Sequence, residues 1–173
     1  MKTLFISDLD GTLLSPEPAI TGRTADIIDS VISDGVNFTF ATARSVYSAV
    51  PITSALNVNV PCMLMNGVSI FDLGNSSYIK SEYIPTAASA EVLRAFERHG
   101  IHCFMYRIED AILECCYSAL TTKVMRSFAE VRKKDYKKPF RQLDRLADLA
   151  DERVVYFTTT GHYEELLPVK CEV

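Results

Sequence analysis

Asp8 and Asp10 stand two residues apart, directly behind the apolar run Leu4-Phe5-Ile6, and Gly11 and Thr12 follow at once. Side chains two apart on extended backbone point the same way, so the two carboxylates can converge on one point. Left alone, two negative charges about 4 Å apart repel by about 4 kcal/mol at an effective dielectric of about 20. A cation is therefore required. Mg2+ meets the requirement, since it takes hard oxygen ligands from one or two carboxylates and completes its shell with substrate phosphate oxygens. Gly11 lets the backbone approach a phosphate, and Thr12 can begin the next turn. An isolated Asp-Gly pair would read as a tight turn. Asp-x-Asp-Gly-Thr behind an apolar strand points instead to phosphate chemistry, with Asp8 and Asp10 as metal ligands.

Such a site needs a strand that ends at Asp8 and a scaffold beside it. Leu4 to Ser7 has the character of a short buried strand. After a polar loop, Thr24 to Ser33 carries Ile27, Ile28, Val31 and Ile32 at helical spacing, and Gly35 caps the segment. Val36 to Ala41 reads as a second strand, Ser45 to Leu56 as a helix kinked or started at Pro51, and Pro61 to Met65 as a third strand ending at Asn66-Gly67. Strand and helix alternation with strands this apolar predicts parallel strands covered on both faces, an α/β architecture. In open sheets of that kind ligands bind outside the carboxyl ends of the strands, where Asp8 lies.

From Val68 the pattern turns antiparallel. Val68 to Phe71 and Tyr78 to Tyr83 flank the turn-rich Asp72 to Ser77, which suits a hairpin. Helices are expected at Ala87 to Gly100, Thr121 to Lys133 and around Leu143 to Ala150, strands at His102 to Tyr106, Ala111 to Cys116 and Val154 to Thr160, and a last helix start at Tyr163 to Leu167. The domain boundary falls near residue 83, giving 1–83 and 84–173.

The chain has 173 residues, 48% hydrophobic and 23% charged, with a net charge of -4. This is the profile of a globular protein. The acidic balance argues against a nucleic-acid or anionic-membrane partner, and Arg132-Lys133-Lys134 with Lys137-Lys138 reads as a solvated helix end and loop. Five cysteines, none at metal-ligand spacing, are expected to be reduced and mostly buried. The stretch before Asp8 is too short for a signal peptide and no run has membrane-spanning length, so a cytoplasmic protein is expected.

By this motif the sequence resembles the haloacid dehalogenase-like hydrolases, and within them the Cof-type sugar-phosphate phosphatases. The resemblance implies a Rossmann-like parallel core, here partial with three strands, followed by an inserted α/β cap, which the order of Lys138-Pro139-Phe140 and Val154-Val155-Tyr156-Phe157-Thr158 also resembles. It implies Asp8 as nucleophile, forming a phosphoaspartate, and Asp10 as general acid and base whose carbonyl helps hold Mg2+. Phe40-Ala41-Thr42-Ala43-Arg44 resembles the second motif of the family, with Ala43 where glycine is usual. Thr42 would then donate to the phosphoryl oxygens and Arg44 would assist the substrate or the loop. Asn66-Gly67 matches the pair that lines the floor of the site, and is equally a tight-turn dipeptide. The expected function is Mg2+-dependent hydrolysis of small phosphorylated metabolites, sugar phosphates foremost.

The family's neutralising lysine and its Gly-Asp-Gly-x-x-Asp loop have no match in these residues, and the pattern at Val173 is still that of the cap. Two expectations follow. The first strand should present an open hydrophobic edge, covered by further polypeptide or by self-association. The alternative to an active phosphatase is an impaired remnant that binds phosphate or a partner.

Overall fold

The computed structural model describes residues 3–14 and 19–173; Met1-Lys2 and part of the polar loop after Leu14 lie outside them. Two compact units divide the chain, Met1–Ser81 and Glu82–Val173.

In the first unit the strands β1 (Leu4–Asp8), β2 (Asn37–Ala41) and β3 (Cys62–Leu64) run parallel, joined by the helices α1 (Gly22–Ser33) and α2 (Val46–Thr53). The hairpin β4 (Ser69–Asp72) and β5 (Ser77–Ser81) adds two antiparallel strands to the same sheet, in the order β1-β2-β3-β4-β5. The sheet therefore has five strands, because Ser69, Ile70 and Phe71 pair directly onto β3. Asp72 closes the hairpin by accepting from the backbone N–H groups of Gly74 and Asn75 at 2.8 and 3.1 Å. Local side-chain acceptors of this kind make Asp a turn former.

Thr21 caps α1 by accepting from Thr24 N–H at 3.2 Å, and Gly35, in the left-handed region, donates back to the Ile32 carbonyl at 2.9 Å. Ala25 and Ile28 are buried, whereas Ile27 and Val31 face solvent, so only part of the apolar stripe expected of this helix is packed. Pro51 lies inside α2 without ending it before Thr53. Strand β1 stands at one end of the strand order, and Leu4, Phe5 and Ile6 are 48%, 54% and 51% exposed. From Leu4 to Ser7 no charge, proline or bulge blunts this edge.

The second unit is a four-stranded sheet in the order β8-β7-β6-β9, with β6 (Phe104–Glu109), β7 (Ile112–Tyr117), β8 (Phe140–Gln142) and β9 (Val154–Thr158). One face carries Met105, Cys116 and Val154 in a core with Leu93 and Phe96 of α3 (Thr86–Arg98) and Val169 of α5 (Tyr163–Glu172). The opposite face carries Phe104, stacked on Phe128 of α4 (Lys123–Tyr136) with centroids 4.9 Å apart.

Two expectations are corrected here, and one strand is found that was not expected. Phe140–Gln142 is a strand, because α4 returns the chain parallel to β7. Leu143 to Ala150 holds only a 3-10 turn, Leu146–Leu149, whose leucines meet the spacing of a helix without its length. Lys138 is buried rather than solvated, its Nζ 4.4 Å from the Tyr106 ring centroid, and Arg132 lies over Phe128. Aromatic faces attract these cations and cover their stems. Burial moves the Lys138 amine down to about 8.

All five cysteines are free and four are buried. Burial pushes the thiols of Cys103, Cys115 and Cys116 up to about 12 and that of Cys62 up to about 11. Thiols held so far above neutrality are poor nucleophiles. Among the described residues no helix is long and apolar enough to cross a membrane.

Candidate functional site

Parallel pairing sets the site. Asp8 lies opposite Ala41 in the β1–β2 register, and Ala41 opposite Met63 in β2–β3, so Asp8, Thr42 and the Met65-Asn66-Gly67 segment all follow the carboxyl ends of adjacent strands. Asp8 closes its own turn, its Oδ1 accepting the Leu9 N–H at 2.7 Å. Leu9 is fully buried and anchors the loop, accepting from Leu14 N–H at 2.8 Å and Thr12 N–H at 3.3 Å. Asp10, Gly11 and Thr12 are thereby held at the surface above a buried leucine. Gly11 has φ +77°, with open space where a Cβ would stand. Its substitution is opposed by backbone conformation, not by crowding.

The loop after β2 is zipped to the loop after β3. Thr42 N–H donates to the Met63 carbonyl, Asn66 N–H to the Thr42 carbonyl and Met65 N–H to the Arg44 carbonyl, each at 3.0 Å. Thr42 is buried, and its Oγ1 accepts the Arg44 backbone N–H at 3.1 Å. With a lone pair engaged there, the hydroxyl proton is the group left to offer a ligand.

Met65, Asn66 and Gly67 have φ of 53°, 60° and 88°, three left-handed residues in succession. Left-handed backbone disfavours most residues with a Cβ by about 1–2 kcal/mol, so Met65 holds this turn against its preference, whereas asparagine is among the few side chains that tolerate it. The turn delivers the two N–H groups that fix the Thr42-Arg44 loop. Replacing Asn66 by valine, β-branched and ill suited to positive φ, should destabilise the chain by about 1–2 kcal/mol, read as a lower urea midpoint. Asn66→Gly should leave the midpoint unchanged or raise it.

The firmest side-chain contact of the site joins residues 34 apart. Arg44 donates from Nε to Asp10 Oδ2 at 2.9 Å and from Nη2 to Asp10 Oδ1 at 2.6 Å, a two-pronged ion pair. The Arg44 guanidinium, hydrogen bonded to Asp10, holds its carboxyl below the usual carboxylate range. The second motif implies a helping role for Arg44 toward the substrate or the loop; here it is clamped on Asp10. No local spacing announces such a pair.

Among the described residues no group of three or more histidine, cysteine or acidic side chains could hold a metal ion. The donors fit Mg2+ in the manner of sites that borrow ligands: Asp8 supplies one hard carboxylate, and the Asp10 carbonyl is a second oxygen on the same loop. The Asp10 carboxylate is committed to Arg44.

Comparison with known proteins identifies the family and the fold. A family model described as haloacid dehalogenase-like hydrolase matches residues 5–166. The chain is 24% identical over 147 residues to a pyridoxal phosphate phosphatase of Escherichia coli, an alignment that covers 84% of this chain and 53% of that protein. It shares its fold with a haloacid dehalogenase-like hydrolase of Bacteroides thetaiotaomicron, at TM-score 0.75 and 18% identity over 99% of this chain and 63% of that one. A sugar phosphatase structure of the same superfamily gives TM-score 0.63 at 20% identity, covering 100% of this chain and 64% of that one. The chain spans between 27% and 60% of the length of the curated phosphatases it matches. On the family match across almost its whole length, the chain belongs to the haloacid dehalogenase-like hydrolases.

Proposed function

We propose that the chain carries the nucleophile half of a Mg2+-dependent phosphatase site for small phosphorylated metabolites, sugar phosphates foremost, with Asp8 as nucleophile and Asp10 as acid and base. The observation that supports this most is the placing of Asp8, Asp10, Thr42 and Arg44 on loops after neighbouring parallel strands, tied together by Arg44 and Asp10. Phosphatase relatives, one acting on pyridoxal phosphate, and the sugar phosphatase of like fold support the substrate class.

In this reading an Asp8 oxygen attacks phosphorus and the bond from phosphorus to the leaving oxygen breaks, while Asp10 gives that oxygen a proton. Water then cleaves the phosphoaspartate as Asp10 takes a proton back. Splitting the reaction through a covalent carboxyl phosphate replaces one hard step by two easier ones. The Thr42 hydroxyl donates to a phosphoryl oxygen, and Gly11 lets the backbone of its loop approach another. Asp8 and the Asp10 carbonyl would hold Mg2+, which would neutralise charge on the phosphate. The second unit is the cap in this assignment.

A specific feature favours a second reading, of phosphate binding with feeble turnover. The lysines of the first unit are Lys2 and Lys80 alone. Lys80 lies on β5, four strands from β1, hence about 19 Å away at the ordinary strand spacing of about 4.8 Å. Neutralisation of a phosphoaspartate at Asp8 would then fall to Arg44 or to groups outside the described part of this unit.

Hydrolysis of a chromogenic aryl phosphate by the 173-residue chain, with and without Mg2+, decides between the two. Mg2+-dependent release of the phenol supports the enzyme, and phosphate binding without release supports the second reading. We also propose that the apolar β1 edge is covered in the working protein, by further polypeptide or by self-association. Phe5→Lys should then lower any self-association measured by sedimentation, and a monomer unaffected by the change would leave only the first cover.

A further inference from the structure

Arg44 holds the Asp10 carboxylate with two N–H groups in the planar fork that also suits a phosphate. While both carboxylate oxygens are engaged in this way, Asp10 faces its arginine and not a leaving group. The pair is also open to solvent, with the Asp10 side chain 53% exposed and that of Arg44 22%. An ion pair that solvent reaches can exchange one anion for another without leaving the fork empty. A phosphate monoester arriving at Asp8 and Thr42 brings up to two negative charges to the neighbourhood of the same guanidinium.

We propose that Arg44 is an exchangeable latch: it clamps Asp10 in the empty site, transfers its fork to the phosphate of an arriving substrate, and so frees the Asp10 side chain to turn toward the leaving oxygen. This deepens the phosphatase reading and rests on it. The backbone is built for such an exchange. Arg44 is fixed at both ends of its own residue, through its N–H to Thr42 Oγ1 and its carbonyl to Met65 N–H, so the side chain can change partner while its base stays in place. The same Thr42 hydroxyl that receives the Arg44 N–H faces the phosphate in the proposed mechanism, which places the root of the arginine two residues from the ligand. A latch of this form leaves Asp10 unavailable for proton transfer until a phosphate has arrived.

The test uses inorganic phosphate, titrated into the 173-residue chain in the presence of MgCl2 at fixed ionic strength. The Nε–H resonance of Arg44 and the carboxyl carbon resonance of Asp10 are followed by NMR, and affinity by calorimetry. Both resonances should move together, with the midpoint of phosphate binding. In an Asp10→Asn background, where no clamp is left to lose, Arg44→Gln should weaken phosphate binding by about tenfold, the scale of a lost charge-assisted fork. Circular dichroism confirms that each variant is folded, and Arg44→Lys, which keeps the charge without the fork, stands in if the glutamine variant is not; it should also weaken binding. Resonances that stay fixed at phosphate saturation, or unchanged affinity in the Asp10→Asn background, would overturn the latch while leaving the phosphate site standing. Failure of the unaltered chain to bind phosphate would overturn both.

Discussion

Asp8→Asn should remove phosphatase activity by on the order of 10³-fold or more, the scale seen when a covalent nucleophile is deleted. The change is nearly isosteric, and the side-chain oxygen of the introduced amide can still accept the Leu9 N–H that Asp8 Oδ1 now accepts at 2.7 Å. Folding should therefore survive it, and the loss should appear in kcat. Borohydride trapping of the acyl phosphate, followed by peptide mass spectrometry, should place the modification on Asp8 in the unaltered chain and find none in the variant. Trapping elsewhere, or full activity in Asp8→Asn, would remove Asp8 from the role. The two measurements together separate a missing nucleophile from a missing fold.

The largest effect on stability should come from the second unit. Arg107 is 1% exposed, yet it carries a charge on the apolar face of β6. Its guanidinium donates to Asp151 at 3.0 Å and lies 3.4 Å from Glu109 and 3.7 Å from Glu114. Arg153 pairs with Asp151 and Glu109 as well. These contacts join β6, β7 and the turn before β9. Arg107→Leu takes the guanidinium from three carboxylates that remain partly solvated, two of them still paired with Arg153, and the lost charged hydrogen bonds should cost about 1.5–3 kcal/mol. Urea unfolding followed by far-UV circular dichroism should show that loss.

The same network gives stability a defined pH dependence. Asp151 loses some charge preference to desolvation, but hydrogen bonds from Arg153 and Arg107 outweigh it and hold the carboxyl well below the usual range. A carboxyl depressed in the folded state contributes stability above its unfolded pKa of about 4, and that contribution disappears as pH falls through the folded value. Acid should thus lower the melting temperature of the unaltered chain progressively below about pH 5. Asp151→Asn should flatten that slope, and an unchanged slope would show that other carboxylates set it.

How far the fold was legible depended on whether a segment carried its own signal. Strands β1, β2 and β3 were readable because strands of a parallel sheet are largely apolar runs, and Leu4-Phe5-Ile6 and Phe38-Thr39-Phe40 are of that kind, although β1 is half exposed. Strand β8 was not, for Phe140-Arg141-Gln142 has one apolar residue; it is a strand because β7 and α4 bring it alongside. Leu143, Leu146 and Leu149 imitate a helical face at three-residue spacing, which a 3-10 turn satisfies equally. In the site, Asp8, Asp10 and Thr42 could be picked out from type and position. The ion pair of Asp10 with Arg44 could not, since nothing in residues 10 and 44 separately specifies that they meet. Nor does Met65, an ordinary apolar strand end in sequence, disclose that its backbone is left-handed.

The distribution of the buried thiols equips the molecule with its own clock. Cys62 is the only cysteine before Glu82, while Cys103, Cys115 and Cys116 lie in the second unit and Cys171 is exposed. In a Cys171→Ser background, every remaining sulfur reacts with a thiol reagent only when its unit opens. Two rates should emerge, one from a single label on the first unit and one from up to three on the second. Any ligand that binds after β1 and β2 should slow the first in proportion to its occupancy.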